Sequence, residues 1–207
     1  QDDTNNANLE YLLKQFAEHL ENEYLAEQEY KDTLGVGIEA LTQYFNHYQA
    51  GFIKEIELEY DFSHKGINLD GIELTGKLDK IEIVEDIAGV KKVKVIDYKT
   101  GNPDGKSQAL KPGGDYHRQI VFYQLLCELG YKDKLSTFKM ISGEIDFIQA
   151  SKTKGFVKST IEVTNEDLDV IKAEIKTMYQ SIQNQEFDKT EDLDTCSKCS
   201  FKNICGR

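Results

Sequence analysis

Three observations predict an α/β domain built on a central mixed β-sheet flanked by helices. Helical apolar periodicity opens the chain, alternating strand patterns fill its middle, and helical patterns recur between and after those strands. The 207 residues are enough to bury a proper core, and 39% hydrophobic with 30% charged residues is ordinary for a globular protein. Only two prolines and no repeat leave no obvious internal linker. One domain over 1–207 is therefore expected.

The elements follow in order. Helical spacing covers Leu9–Gln28 and Val36–Tyr48. A strand is expected over Lys54–Phe62, where Glu55, Glu57 and Glu59 alternate with Ile56, Leu58 and Tyr60. Two further strands read as Leu74–Val84 and Val93–Gly101, joined as a hairpin through Glu85–Gly89. A helix capped by Asp115 should run to about Leu129 and stop at Gly130. Strands are expected at Thr137–Gln149 and Phe156–Val163. Thr164 with Asp167 then reads as a capping box opening a helix to about Gln185.

The chemistry concentrates at Val95-Ile96-Asp97-Tyr98-Lys99-Thr100-Gly101. Alternate side chains of a strand share a face, so Asp97 and Lys99 project together. If the hairpin forms, Asp79 of Gly76-Lys77-Leu78-Asp79 can approach Asp97. Two carboxylates beside a lysine can bind a hard divalent cation next to a cation that stabilises developing charge, which outlines a phosphodiesterase site. Taken alone, Asp97 and Lys99 read more readily as a surface salt bridge at a strand end, and it is Asp79 that brings the two readings level. Asp-x-Lys also recurs as Asp104-Gly105-Lys106, in a Pro/Gly loop with no strand to orient it. Gln119 and Tyr123, four apart, share one face of the next helix.

Strand with Asp, strand with Asp-x-Lys, then helix with Gln-x-x-x-Tyr: this order resembles the RecB-type branch of the PD-(D/E)xK nuclease superfamily, which includes the nuclease domains of AddAB-type helicase–nucleases. The resemblance covers roughly Glu57 to the C-terminus. It implies a restriction-endonuclease-like core and a Mg²⁺/Mn²⁺-dependent deoxyribonuclease of exonuclease type. It also implies DNA, single strands foremost, as partner, a linked or associated helicase, and a role in repair or recombination. The implied site is Asp79, Asp97, Lys99, Gln119 and Tyr123, with metal held by Asp79, Asp97 and the Tyr98 carbonyl. Glu57 is an outside candidate for a further metal contact. Relatives also carry a metal-binding His on an early helix, but His19 reads as an exposed helical residue.

Cys196, Cys199 and Cys205 form C-x2-C-x5-C, a spacing that suits a soft metal or iron–sulfur cluster better than disulfides. The resemblance implies a 4Fe-4S cluster stapling a tail, residues 188–207, to the core. No cysteine precedes Cys127, itself in the Gln-x-x-x-Tyr helix, so the four-cysteine set is incomplete in this chain. Free thiols remain the plain alternative. The opening residues show neither an initiator Met nor a signal peptide, and no run is long enough to cross a bilayer. A cytoplasmic fragment of a larger protein is expected.

The net charge of −12 opposes free-standing DNA binding, since phosphate contacts need a basic surface. Arg118 and Arg207 are the only arginines. Lysines do gather near the motifs, and a linked motor would replace intrinsic affinity by effective concentration. Two other classes stay open: a catalytically inactive DNA-binding or scaffolding module of the same fold, and a metal-tail interaction domain.

Overall fold

The computed structural model describes residues 8–53, 55–186 and 189–206. It divides into two compact units, Gln1–Leu168 and Asp169–Arg207. The first opens with α1 (Leu9–Glu21), whose N-cap Asn8 accepts the Glu10 and Tyr11 amides at 2.9 and 3.3 Å. The helix expected to reach Gln28 stops at Asn22, and Tyr24 takes a left-handed φ of 52°. Neither Gly nor Pro marks that break, so apolar periodicity ran across it. The next helix, α2 (Glu27–Tyr48), starts well before Val36 and contains Gly35 and Gly37. A Cβ on Gly37 would lie 2.1 Å from the Phe16 ring, so this glycine lets α1 close on α2.

The strands are β1 (Ile56–Asp61), β2 (Asn68–Leu69), β3 (Ile72–Glu73), β4 (Lys77–Ile87), β5 (Val90–Lys99), β6 (Phe138–Phe147) and β7 (Lys158–Ile161). Lys54, where the first strand was expected to begin, lies outside the described residues. β2 and β3 pair only with each other, whereas the main sheet runs β1-β4-β5-β6-β7. β5 and β6 are parallel and every other neighbour is antiparallel, giving the mixed sheet expected. The β4–β5 hairpin closes on Ala88 and Gly89, with φ of 51° and 82°. That two-residue turn twists with the strands and lengthens both beyond their expected ends.

Between the parallel strands lies α3 (Asp115–Lys132), the crossover that parallel pairing requires. Gly114, rather than Asp115, occupies its N-cap position, and the carbonyl of Ala109 accepts the Tyr116 and His117 amides at 3.0 and 3.1 Å. Gly130 does not stop α3. It lies inside the helix, where a Cβ would meet Ile67, Ser136 and Phe62 at 3.2 to 3.4 Å. The left-handed Lys134 follows the actual end. Ile120, Leu125 and Leu126 of α3 are fully buried, as are Ile81, Val93, Val95 and Ile145 of the sheet. Gly143 of β6 shows which face α3 covers, since a Cβ there would strike Ile120 at 2.3 Å.

The capping box holds: Asp167 Oδ2 accepts the Thr164 amide at 2.9 Å, and Thr164 Oγ1 accepts the Asp167 amide at 3.1 Å. They open α4 (Asn165–Gln183). The second unit adds two short helices, α5 (Leu193–Lys198) and α6 (Lys202–Cys205). No helix among the described residues is long and apolar enough to cross a membrane.

Candidate active site

The β4–β5 register runs from Ile87–Val90 to Lys80–Ile96 and no further. Past that pair the Asp79 side chain takes over from the backbone, its Oδ2 accepting the Tyr98 amide at 2.9 Å. Asp79 and Asp97 therefore stand at the end of the shared ladder, on the face covered by α3. Asp97 is only 2% exposed.

Gln119 and Tyr123, one helical turn apart on α3, both reach Asp97. Gln119 Nε2 donates to Asp97 Oδ1 at 2.6 Å, and the Tyr123 hydroxyl donates to the same oxygen at 3.0 Å. Gln119 Nε2 also lies 2.7 Å from the Tyr123 oxygen, and Gln119 Oε1 accepts from Lys99 Nζ at 2.7 Å. Lys99 Nζ is 2.6 Å from Asp97 Oδ2, an ion-pair contact without hydrogen-bond directionality. The same ammonium sits 4.9 Å from the Tyr116 ring centre, a favourable cation–π approach. All five side chains predicted from the sequence thus converge, with Tyr116 as an addition. Its signal was its place three residues before Gln119 on the same helix.

Tyr123 is buried and its hydroxyl is committed to Asp97, so its ring offers no stacking face for a base. Gln119 likewise spends both ends of its amide on Lys99, Asp97 and Tyr123. The pair braces the acid and the lysine from behind.

Burial raises the Asp79 carboxyl above the usual carboxylate range, and the nearby Asp97 charge adds to the rise. The Tyr98 amide and the Lys99 charge oppose it. Burial and the Asp97 charge also push the Tyr123 phenol up, so it stays protonated as a donor. The donor set suits a hard cation: two carboxylates, one of them uncomfortable as a bare anion, and a buried Asp97 Oδ2 without a hydrogen bond. No third acid joins them, because among the described residues no group of three or more His, Cys, Asp or Glu side chains stands close enough to hold a metal. Glu57 pairs with Ile81 across the β1–β4 ladder and supplies no such third ligand. His19 is exposed in the last turn of α1, and His47 packs on Tyr48 and Phe156.

The iron–sulfur expectation fits less well. Cys196, Cys199 and Cys205 are half-buried free thiols, and the Phe201 amide donates to Cys199 Sγ at 3.4 Å. The three do not form a metal-holding group. Cys127 is buried within α3, where burial pushes its thiol up to about 12.

The reverse face of the sheet holds a second polar group that the sequence did not reveal. Glu144 and Asp146 of β6 are both buried there. Asp146 Oδ2 accepts from the Tyr44 hydroxyl of α2 at 2.5 Å and pairs with Lys158 of β7 at 2.8 Å. Glu144 pairs with Lys94 at 2.6 Å.

A mixed sheet that ends around two carboxylates and a lysine, backed by a helix, defines a nuclease class of α/β fold. The chain belongs to the PD-(D/E)XK nuclease superfamily, whose family model matches residues 2–206. No curated protein matches it. Among solved structures it is similar to SSO0001, at 16% identity over 95% of both chains with a TM-score of 0.41. It is also similar to a protein named "putative exonuclease" from Eubacterium rectale, at 16% identity over 97% of this chain and 75% of that one, again with a TM-score of 0.41.

Proposed function

We propose that this chain is a Mg²⁺- or Mn²⁺-dependent deoxyribonuclease of the RecB type, hydrolysing phosphodiesters of single-stranded DNA as an exonuclease module. Its setting would be a single nuclease domain working with a linked or associated helicase in repair or recombination. The carrying observation is the Asp97–Lys99–Gln119–Tyr123 network facing Asp79 at the end of the β4–β5 ladder. In family terms Asp79 and Asp97 would hold the metal. The Tyr98 amide points at Asp79, and the carbonyl of the same strand residue leaves on the same side, which supports its role as a further oxygen donor. A bound Mg²⁺ or Mn²⁺ would lower the pKa of a water and offset charge gathering on the phosphate.

The chain's own residues do the rest. Gln119 and Tyr123 fix the Asp97 carboxylate through Oδ1 and leave Oδ2 free of hydrogen bonds. Gln119 Oε1 and Asp97 hold the Lys99 ammonium, which stabilises negative charge at the phosphorus and orients the attacking water. The net charge of −12 favours one rival, a catalytically inactive scaffold of the same fold. Degradation of 5′- and 3′-labelled single-stranded DNA with Mn²⁺, beside an Asp97→Ala control, separates the two. Metal-dependent cleavage lost in the variant supports the nuclease, and equal traces from both proteins remove it.

A further inference from the structure

Two loops leave the end of the sheet where Asp97 and Lys99 stand. One joins β5 to α3 over residues 100–114, and the other joins β6 to β7 over residues 148–157. Because β5 and β6 are parallel, both emerge from carboxyl ends of strands, where α/β sheets take their ligands. They are bonded to each other. Ser151 Oγ donates to Asp104 Oδ1 at 2.7 Å, and the Lys152 amide donates to Asp104 Oδ2 at 3.1 Å. Ser151 is only 6% exposed and its hydroxyl oxygen also accepts the Thr153 and Lys154 amides at 3.2 and 3.1 Å. A mutual backbone bridge between Ser151 and Gly155 closes the turn.

The rest of both loops is tied down as well. The Ile148 amide donates to the Lys99 carbonyl at 2.9 Å, so the second loop starts against the site lysine. The first loop ends on α3 through the Ala109 carbonyl, and the Gly113 amide donates to Nδ1 of buried His117 at 3.4 Å. These contacts make one ordered rim of two chain segments.

The charge of that rim is opposite to that of the chain. Residues 100–114 and 148–157 hold four lysines and one aspartate, whereas the whole protein carries −12. The aspartate is Asp104, whose two oxygens are taken by Ser151 and Lys152. Lys106, Lys152 and Lys154 remain exposed around it. The second Asp-x-Lys of the sequence, idle as chemistry, thus becomes a structural latch with its lysine facing outward. Solvated lysines are common, but here the only acid of the rim is spent on fixing the backbone beneath them.

We propose that this latched rim is a phosphate rail: Lys106, Lys152 and Lys154 hold the backbone of the substrate strand a few nucleotides from the bond being cut. The inference rests on the nuclease reading for its ligand, a single-stranded nucleic acid. The contacts are to phosphates, so they carry no base preference. The rail gives an acidic protein local affinity without making its whole surface basic.

The test measures binding and cleavage separately. Anisotropy of labelled oligo(dT) and oligo(U) is recorded in Ca²⁺ over a range of salt, with the full chain. Lys152→Ala/Lys154→Ala should lower the slope of log affinity against log salt by about 1.4, roughly 0.7 for each lost single-strand phosphate contact. At low salt the double variant should bind about tenfold more weakly. With Mn²⁺ its KM for DNA should rise by a similar factor at unchanged kcat and melting temperature. Ser151→Ala keeps every charge and should still raise KM severalfold, because the latch is broken. A double variant with the wild-type salt slope overturns the rail while leaving the nuclease reading intact, provided the wild type cleaves. A lost slope in a protein that never cleaves keeps the rail and removes the nuclease. Ser151→Ala binding like wild type on both oligomers overturns the latch.

Discussion

The sheet buries carboxylates on both faces, and the two sets differ in how their charge is matched. Behind the sheet, Glu144 and Asp146 face Lys94 and Lys158, two anions against two cations, with Tyr44 donating to Asp146. On the α3 face, Asp79 and Asp97 share Lys99, while Lys77, which also feels the Asp79 charge, is paired with Glu59. An oxygen without a hydrogen bond does not distinguish them, because Asp97, Glu144 and Asp146 each have one. The charge count does. A balanced set can be sealed as structure, whereas a surplus anion at the end of a ladder draws in a cation. Burial acts accordingly. It pushes the Lys158 ammonium down, but the hydrogen bond and charge of Asp146 outweigh it and leave a net rise. For Asp79 the Tyr98 amide and the Lys99 charge fall short of offsetting burial, and the group rises as an acid.

The largest expected contrast comes from exchanging the two aspartates in turn. Asp97→Asn should cut the single-turnover cleavage rate by orders of magnitude, with the thermal unfolding midpoint nearly unchanged. Asp146→Ala should cost about 3 kcal/mol in denaturant unfolding, since the buried Tyr44 hydroxyl loses a charged partner, whereas Lys158 keeps Glu144 at 3.9 Å and access to water. Its rate per folded molecule should stay near wild type. If Asp146→Ala abolished cleavage without unfolding, the division between the faces would be lost.

Lys99→Met keeps the apolar stem and removes the charge. We expect cleavage to fall by about a hundredfold or more, the scale of one lost electrostatic contact. Calorimetric Mn²⁺ binding should survive, and a wild-type rate would reduce Lys99 to a strand-end salt bridge.

Asp79→Asn tests the surplus directly. A carboxyl whose folded pKa is raised favours the fold while protonated, and that gain is lost as pH rises from the unfolded value, about 3.9, through the folded one. At neutral pH the ionised group is therefore a cost, and Asn can still accept the Tyr98 amide. The metal-free variant should melt no lower than wild type at pH 7, and the difference should shift against the variant as pH falls to 4. Its Mn²⁺ affinity should collapse throughout. A lower melting point at pH 7 would contradict the raised pKa.

The smallest effects come from the two tyrosines. Tyr44→Phe should cost about 1.5–3 kcal/mol, the range for a hydrogen bond to a charged group, with no change in rate. Tyr123→Phe should cost about 1 kcal/mol because Gln119 still donates to Asp97 Oδ1, and should slow cleavage severalfold. Paired melting and rate measurements check both.

The α3-face network was legible in the sequence because its members lie close together in the chain. Asp79, Asp97 and Lys99 sit on one hairpin, and Gln119 and Tyr123 on the helix that follows. Local periodicity and turn chemistry were enough to align them. The reverse-face network was not legible, since Tyr44 and Asp146 are separated by 102 residues and neither has a motif around it. Glu144 and Asp146 were read only as part of a strand. Helix limits failed for a related reason. The α1–α2 break carries no Gly or Pro, while Gly37 and Gly130 sit inside helices, the first where a Cβ would strike Phe16 and the second in tight packing against Ile67 and Phe62.

The two-residue turn at Ala88 and Gly89 also bears on the order of assembly. Hairpins close in about 1–10 μs, and this one needs no distant segment to bring Asp79 toward Asp97. The parallel β5–β6 pairing must wait for α3 to cross over, and contacts of such sequence separation form slowly. On that order the acids are expected to meet while water still surrounds them, when their repulsion is weak. Their burial comes only when α3 docks and delivers Gln119 and Tyr123, so a chain stalled at the hairpin has the acid pair without its brace.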